Sequence, residues 1–151
     1  MTPLRITVEK GMETQQERHL LAKSRRRRDL FQVIDPDGRA DPETDPGLEV
    51  DLVRRIYRTM VRTRVVDQRM EALQRQGRVS FHVGARGEEA AIVASAAALR
   101  PQDWIFSCYR EIGAALYRGF ELQAYVDNMF GNADDLVQGR QMPDHISGRQ
   151  V

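Results

Sequence analysis

A run of apolar residues between positions 48 and 73 constrains the fold more than any other feature of the sequence. Asp45 is a suitable N-cap with Pro46 at the first helical position, and Gly77 is a suitable stop. One face of a helix needs an apolar residue every three or four positions. The run supplies them at Leu48, Leu52, Val53, Ile56, Tyr57, Met60, Val61, Val65, Val66, Met70 and Leu73. The pattern therefore predicts one long amphipathic helix.

The polar face of this helix is rich in charge. Such a face is typically solvated on the outside of a folded protein, and a partner surface is the alternative. Its members are Arg54, Arg58, Arg62, Arg64, Asp67 and Arg69.

Shorter segments with strand or helix patterns follow. Segments 78–83 (RVSFHV) and 103–108 (DWIFSC) are short and rich in β-branched or aromatic residues, which is typical of strands. An Ala-rich helix is predicted between them, from about Glu88 to Leu99. Segments 111–119 and 121–132 have helical patterns that stop at glycine. The residues alone thus predict a mostly helical chain with two or three short strands.

The first 29 residues differ in composition from the rest. Met1 to Arg28 holds eight Lys or Arg and three Glu, although the whole chain has a formal net charge of only +1. The segment ends in Arg25–Arg28, four like charges that repel one another and have no apolar face to bury. We therefore expect residues 1–29 to be a basic, disordered extension. Nucleic-acid binding through these arginines is the alternative, but no aromatic residue interleaves them.

Composition places the remaining residues in one folded domain, which we expect to span residues 30–151. A content of 41% hydrophobic and 30% charged residues lies in the ordinary range for such a domain. The longest small-apolar run, residues 90–99, is well short of the ~20 residues that a membrane-spanning helix needs. We find no secretory signal, and the single cysteine, Cys108, excludes an intrachain disulfide. We therefore expect a cytoplasmic protein with no membrane partner.

The stretch from Asp103 to Gly119 places Tyr109 and Arg110 between an apolar run and a helical pattern. Backbone N–H groups at the start of a helix carry a partial positive charge and attract anions. An arginine at this point adds to an anion site, and phosphate is the first candidate for the anion. The alternative from the residues alone is an ordinary ion pair of Arg110 with Glu111 or Glu121.

Seven short motifs occur in order between Gln74 and His145, within a resemblance that covers about Leu30 to Gln150: QRQGR, SF, GEEA, DW-F, YRE-G, FGN and GRQMP-H. Their order and spacing resemble the alpha subunit of the thiamine-diphosphate-dependent 2-oxo acid dehydrogenase E1 component. The branched-chain (2-oxoisovalerate) members are the most similar, and a pyruvate dehydrogenase E1 alpha fragment is the alternative. The resemblance implies an α/β thiamine-diphosphate-binding fold, of which residues 30–151 would form the N-terminal part.

The family's activity is the oxidative decarboxylation of 2-oxo acids with acyl transfer to a lipoyl group. The resemblance therefore implies an enzyme of branched-chain amino acid catabolism, with thiamine diphosphate as its cofactor. It also implies two protein partners, an E1 beta subunit that completes a heterotetramer and a lipoyl-bearing E2. A non-catalytic assembly module derived from E1 alpha is the alternative from a different functional class.

The resemblance assigns the anion site to the cofactor. In the family the tyrosine and arginine of the YRE motif bind the diphosphate group, which here implies Tyr109 and Arg110. Cys108 would lie beside them with its backbone near the same group. A planar guanidinium can hold two phosphate oxygens at once, so the residue types suit this role.

The resemblance also implies a substrate end for the site. Phe81 and Tyr109 would line the pocket for the 2-oxo acid side chain, with Met142 and Pro143 on the opposite wall. His145 would be the catalytic residue near the reactive end of the cofactor, where an imidazole can hydrogen-bond a developing oxyanion. Without the resemblance, plain core packing for Phe81 and a solvated loop position for His145 are the alternatives.

Two positions depart from the family pattern. His82 stands where a tyrosine often follows the phenylalanine, and Ile112 stands where many members have histidine. Both changes bear on the preference of the substrate pocket, whereas the implied phosphate contacts are unaffected.

No metal ligand is expected in this chain. In the family the magnesium ion that accompanies the cofactor is held by a GDG motif and a later asparagine, and this sequence contains no GDG. Asp134 and Asp135 are adjacent carboxylates that we interpret as part of a solvated loop. We therefore expect the isolated chain to be inactive and to bind the cofactor only weakly.

Overall fold

The structure is a computed structural model that describes residues 32–148, in two compact units that divide after Gly47. In the first unit an antiparallel bridge between Ile34 and Ala40 closes a turn. The Asp35 carboxylate stabilises this turn by accepting two backbone N–H groups from within it. The basic extension over residues 1–29 lies outside the described residues, so its disorder and the nucleic-acid alternative stay predictions.

The long helix, α1, spans Val50–Arg75 and confirms the prediction except at its start. Asp45 does not cap it, because the Asp45 carboxylate accepts the Gly47 N–H at 3.0 Å in a local turn. Gly47 is in the left-handed region at φ +58°, which interrupts any helix at this point. Gly77 adopts φ +68° just after the helix and is the stop that the sequence predicted.

Three shorter helices follow: α2 (Glu89–Ala98), α3 (Ile112–Tyr117) and α4 (Leu122–Phe130). Helices α1, α2 and α3 pack against one another, and the Ala-rich α2 is buried at Val93 and Ala96. Tyr125 and Met129 attach α4 to the core formed with the second half of α1. No helix among residues 32–148 is long and apolar enough to span a membrane.

The predicted strands are not found among the described residues, where only the single bridge in the first unit occurs. A strand needs a neighbouring strand to pair its backbone N–H and C=O groups. In segments 78–83 and 103–108, side chains take over part of this pairing. The Val83 N–H donates to Asp144 at 3.0 Å, and the Cys108 N–H donates to Glu111 at 2.7 Å. The mostly helical prediction is therefore confirmed, whereas the short strands are not.

An ion pair between the partly exposed Arg64 and the buried Glu89 fixes the start of α2 to α1. Arg64 donates to the Glu89 carboxylate, which also accepts the Gly87 N–H at 2.9 Å. The hydrogen bond from Arg64 outweighs the effect of burial and lowers the pKa of Glu89 to about 2. Glu89 therefore stays charged at neutral pH, as a buried carboxylate does only when it is paired. The pair holds the turn before α2 against the middle of α1.

Gly113 lets α3 approach the other two helices closely. A Cβ atom at this position would lie 2.9 Å from Thr63 Oγ1 and 3.1 Å from Val93 Cγ2. We expect Gly113→Ala to lower the free energy of unfolding by about 1–3 kcal/mol, because the added methyl group overpacks the interface. Urea denaturation measures this value. Thr63→Ala in the same chain removes the nearest atom and should recover part of the loss, whereas an unchanged single variant would contradict the close packing.

Candidate functional site

Three aromatic side chains from separate segments form a half-buried row in the second unit. Phe81 and Tyr109 meet edge to face, with ring centroids 6.2 Å apart and planes at 86°. Tyr109 also lies beside His145, with centroids 6.2 Å apart and planes at 50°. We call these three residues the ring row. Phe81 belongs to neither core cluster and His145 is half-buried, so neither plain core packing nor full solvation describes them.

Arg110 lies next to the ring row, shortly before α3. Its Cζ is 5.5 Å from the Tyr109 ring centroid, and its Nη1 donates to the Gly84 carbonyl at 2.9 Å. Within residues 32–148 no carboxylate forms an ion pair with Arg110, and the Glu111 carboxylate instead accepts the Cys108 N–H. The guanidinium therefore has no counter-charge among these residues, which suits an anion-binding role.

The remaining residues assigned from the sequence contact the ring row mainly through the backbone. Met142 is 56% exposed, and its carbonyl accepts the His145 N–H at 3.2 Å. The Pro143 carbonyl accepts from His145 Nδ1 at 3.1 Å, which leaves Nε2 as the ring nitrogen that can face a ligand. Cys108 is exposed. The pocket roles of Met142 and Pro143 and the cofactor role of Cys108 stay predictions.

Four buried polar side chains form a second group, which we call the buried polar cluster: Asp67 of α1, His82, Tyr125 of α4 and Asp144. Asp144 accepts from the Tyr125 hydroxyl at 2.6 Å and from His82 Nδ1 at 3.1 Å. The other ring nitrogen of His82, Nε2, lies 3.6 Å from Asp67 Oδ1. Asp67 Oδ2 accepts the Ala85 N–H at 2.7 Å. The cluster thus joins α1, α4 and two loops.

The interpretation of Asp67 as part of the solvated face is wrong, because Asp67 is completely buried (0% exposed). A signal for this was present in the sequence. Asp67 lies four residues after Thr63 and three before Met70, which are both buried, and this spacing puts the three side chains on one face of α1. The sequence marks His82 only as a departure from the family pattern and does not indicate its carboxylate partners.

Burial and nearby charges shift the pKa values of the side chains in the buried polar cluster. Burial is the largest influence on His82 and lowers its pKa, but the Asp144 hydrogen bond and the charges of Asp144, Asp67 and Glu71 together raise it above 6.5. Burial raises the pKa of Asp67. Burial, followed by the Asp144 charge, raises the pKa of Tyr125, so the phenol stays protonated and donates. The arrangement favours a protonated His82 between two carboxylates.

The interpretation of the two adjacent carboxylates as a solvated loop is correct only for Asp134. Asp135 is buried, and its carboxylate accepts the Gly139 N–H at 2.7 Å and the Val137 N–H at 3.3 Å. These bonds satisfy backbone groups that would otherwise be unpaired in the loop. Asp135 therefore shapes the chain that leads to the Met142–His145 segment.

Comparisons with known proteins agree with the motif resemblance. The family model described as "Dehydrogenase E1 component" matches residues 57–151. The chain is 43% identical over 130 residues to 2-oxoisovalerate dehydrogenase subunit alpha 1, mitochondrial, of Arabidopsis thaliana, an alignment that covers 85% of this chain and 27% of that protein. It is 42% identical over 110 residues to the Caenorhabditis elegans 2-oxoisovalerate dehydrogenase subunit alpha, mitochondrial, covering 73% and 26% respectively.

The human 2-oxoisovalerate dehydrogenase subunit alpha, mitochondrial, is 39% identical over 122 residues, which cover 80% of this chain and 27% of that protein. The chain thus spans about a quarter of the length of the curated relatives it matches. The expected cytoplasmic location is contradicted, because these relatives are mitochondrial proteins by name. Since the family model matches well over half of the sequence, this chain belongs to the dehydrogenase E1 component family.

Proposed function

We propose that this chain is the N-terminal part of an E1 alpha subunit that acts in a branched-chain 2-oxo acid dehydrogenase complex. The reaction would be thiamine-diphosphate-dependent oxidative decarboxylation of 2-oxo acids, with acyl transfer to lipoyl-E2. The observation that carries the proposal is the ring row with Arg110 beside it, in which Phe81, Tyr109 and His145 converge from three motifs. The names of the relatives support the branched-chain substrate.

The surroundings of Arg110 fit the diphosphate of the proposed cofactor. One N–H of the guanidinium is used by the Gly84 carbonyl, and the other donors of the planar group could hold two phosphate oxygens at once. Tyr109 adds a phenol within the same site. The Cys108 N–H already donates to Glu111, so a backbone contact from Cys108 to the diphosphate would require that carboxylate to move.

The chemistry of decarboxylation would come from the bound thiamine diphosphate, and the chain would bind, orient and shield the reactants. Phe81 and Tyr109 would form an apolar wall for the substrate side chain, opposite Met142 and Pro143. Apolar walls distinguish substrates by only about 1–3 kcal/mol per methylene group. His145 would present Nε2 to the reacting oxygen, since its Nδ1 is held by the Pro143 carbonyl.

The remainder of the site would come from outside this chain. We infer that the magnesium ligands lie in other residues of the alpha subunit and that an E1 beta subunit completes a heterotetramer. The acyl acceptor would be the lipoyl group of E2. On this proposal residues 30–151 form one part of the alpha subunit domain, preceded by the basic extension over residues 1–29.

An assembly role without catalysis is the second candidate. It is favoured by exposed apolar side chains along α1, since exposed patches of this kind mark association surfaces. They are Val50, Val53, Tyr57, Val61 and Val65.

A complementation assay tests the proposed function. The 151-residue chain is combined with a beta subunit and with a polypeptide that carries the remaining alpha-subunit sequence of a relative, in the presence of thiamine diphosphate and Mg²⁺. We expect release of carbon dioxide from 2-oxoisovalerate, faster than from pyruvate, only when all three polypeptides are present.

Three results would contradict this proposal. Decarboxylation by the isolated chain, or its tight calorimetric binding of thiamine diphosphate, would show that the other polypeptides are not needed. A stable three-part complex without activity on either 2-oxo acid would favour the assembly role. The control mixture omits only the 151-residue chain.

A further inference from the structure

Asp144 is the centre of the buried polar cluster. Its carboxylate accepts from three donors in separate parts of the chain: the Tyr125 hydroxyl at 2.6 Å, His82 Nδ1 at 3.1 Å and the Val83 N–H at 3.0 Å. Only 1% of the Asp144 side chain is exposed. Three donors converging on one buried carboxylate are typical of a group that fixes the geometry of its surroundings.

The backbone of Asp144 is also constrained. Its φ angle is +67°, in the left-handed region, which is uncommon for residues other than glycine and which aspartate and asparagine tolerate better than most. The residue that follows is His145, and the turn is continued by the bond from the His145 N–H to the Met142 carbonyl. The direction in which the loop presents His145 thus depends on this one backbone conformation.

Asp144 and its partner His82 are sequence neighbours of the two outer members of the ring row. Asp144 precedes His145 directly, and its partner His82 follows Phe81 directly. The polar pair is buried, whereas Phe81 and His145 are half-buried and each contacts Tyr109. A single carboxylate therefore links the two segments that supply the outer rings.

We propose that Asp144 is a positioning residue, whose carboxylate holds the His145 loop to segment 82–83 and to α4 and thereby keeps the ring row assembled around Tyr109. Asp144 acts through its neighbours and does not itself touch substrate or cofactor. The inference rests on the proposed function for the chemical meaning of the ring row, but the contacts that carry it belong to the chain alone.

Asp144→Asn isolates the role of the carboxylate. Asparagine has nearly the same shape and tolerates the left-handed region as aspartate does. Its amide has only one acceptor oxygen. Its NH₂ group would face a donor that the second carboxylate oxygen accepts from in the wild type. The variant therefore preserves the backbone preference and removes part of the anchoring.

Nuclear magnetic resonance on the full 151-residue chain provides the test. In the wild-type chain we expect cross-peaks between the rings of Tyr109 and His145, and a His82 imidazole that titrates above its ordinary pKa. In Asp144→Asn we expect the Tyr109–His145 cross-peaks to be lost and the His82 titration to move to lower pH. The second readout reports the lost carboxylate charge when the Asp144→Asn chain stays folded, because loosening of the structure would also move the His82 titration towards its ordinary pKa.

Asp135→Asn is the matched control, since Asp135 is another buried loop carboxylate that accepts backbone N–H groups. We expect it to lower stability without changing either readout. If Asp144→Asn does not fold, Tyr125→Phe removes one donor and leaves the charge, and a weakening of the same cross-peaks supports the proposal. Unchanged Tyr109–His145 cross-peaks in a folded Asp144→Asn chain would overturn the proposal. If only Tyr125→Phe folds, unchanged cross-peaks in that variant would overturn it. Neither readout requires cofactor or activity, so a failure here is distinct from a failure of the complementation assay.

Discussion

Replacement of Arg110 by alanine is expected to weaken thiamine diphosphate binding by about 10- to 100-fold in the three-part assembly. A hydrogen bond to a charged group contributes about 1.5–3 kcal/mol, and about 1.4 kcal/mol corresponds to tenfold in affinity. No carboxylate among residues 32–148 pairs with Arg110, so no protein ion pair competes with the diphosphate for the guanidinium. Calorimetric titration with thiamine diphosphate and Mg²⁺ measures the effect.

Two further variants separate charge from geometry in this experiment. Arg110→Lys keeps the positive charge but loses the planar fork, so its affinity should fall between those of the wild type and the alanine variant. Arg86→Ala removes an arginine that pairs with Glu71 on the surface, and it should leave the affinity unchanged. Equal affinity of Arg110→Ala and the wild type would remove the main support for a diphosphate site at this position.

Replacement of His82 by leucine is expected to lower the free energy of unfolding by about 3–5 kcal/mol at a pH just below 6.5. The imidazole lies between Asp67 and Asp144, and all three side chains are almost completely buried. Removal of one partner from a buried charged group leaves carboxylates without their counter-charge, which is costly. Urea denaturation of the 151-residue chain measures the difference.

The same group gives a pH dependence of definite sign. The pKa of His82 is raised above 6.5 in the folded chain, so its contribution to stability is fully present below 6.5 and is lost as the pH rises through the folded-state pKa. We therefore expect the difference in free energy of unfolding between wild type and His82→Leu to become smaller as the pH rises through this pKa. His145→Gln is a control that removes another histidine, and it should leave the pH dependence of stability due to His82 unchanged. A gap that widens with pH would contradict a protonated His82.

Much of the helical structure could be predicted from local patterns. The spacing of apolar residues located α1, and the glycines at positions 77, 119 and 131 adopt positive φ angles after α1, α3 and α4. The start of α1 could not be located in this way, because an aspartate such as Asp45 is equally suited to cap a helix or to close a turn. The strand patterns failed for a related reason, since a strand depends on a partner that no local pattern specifies.

The ring row could be foreseen only through the family motifs. Phe81, Tyr109 and His145 are separated by tens of residues, and nothing in their individual surroundings predicts that they meet. An ion pair of Arg110 with Glu111 or Glu121 is the alternative that the neighbouring residues suggest. It does not occur among the described residues because the Glu111 carboxylate accepts the Cys108 N–H instead.

Local sequence patterns are enough to predict which segments are helical, where most of them stop, and which family the motifs resemble, because these properties depend on residues a few positions apart. The burial of Asp67, the position of His82 between two carboxylates and the contacts of Asp144 depend instead on tertiary packing. Those contacts join residues 15 or more positions apart in the chain. Burial of a charge is favourable only when distant partners arrive together, and that condition is a property of the fold.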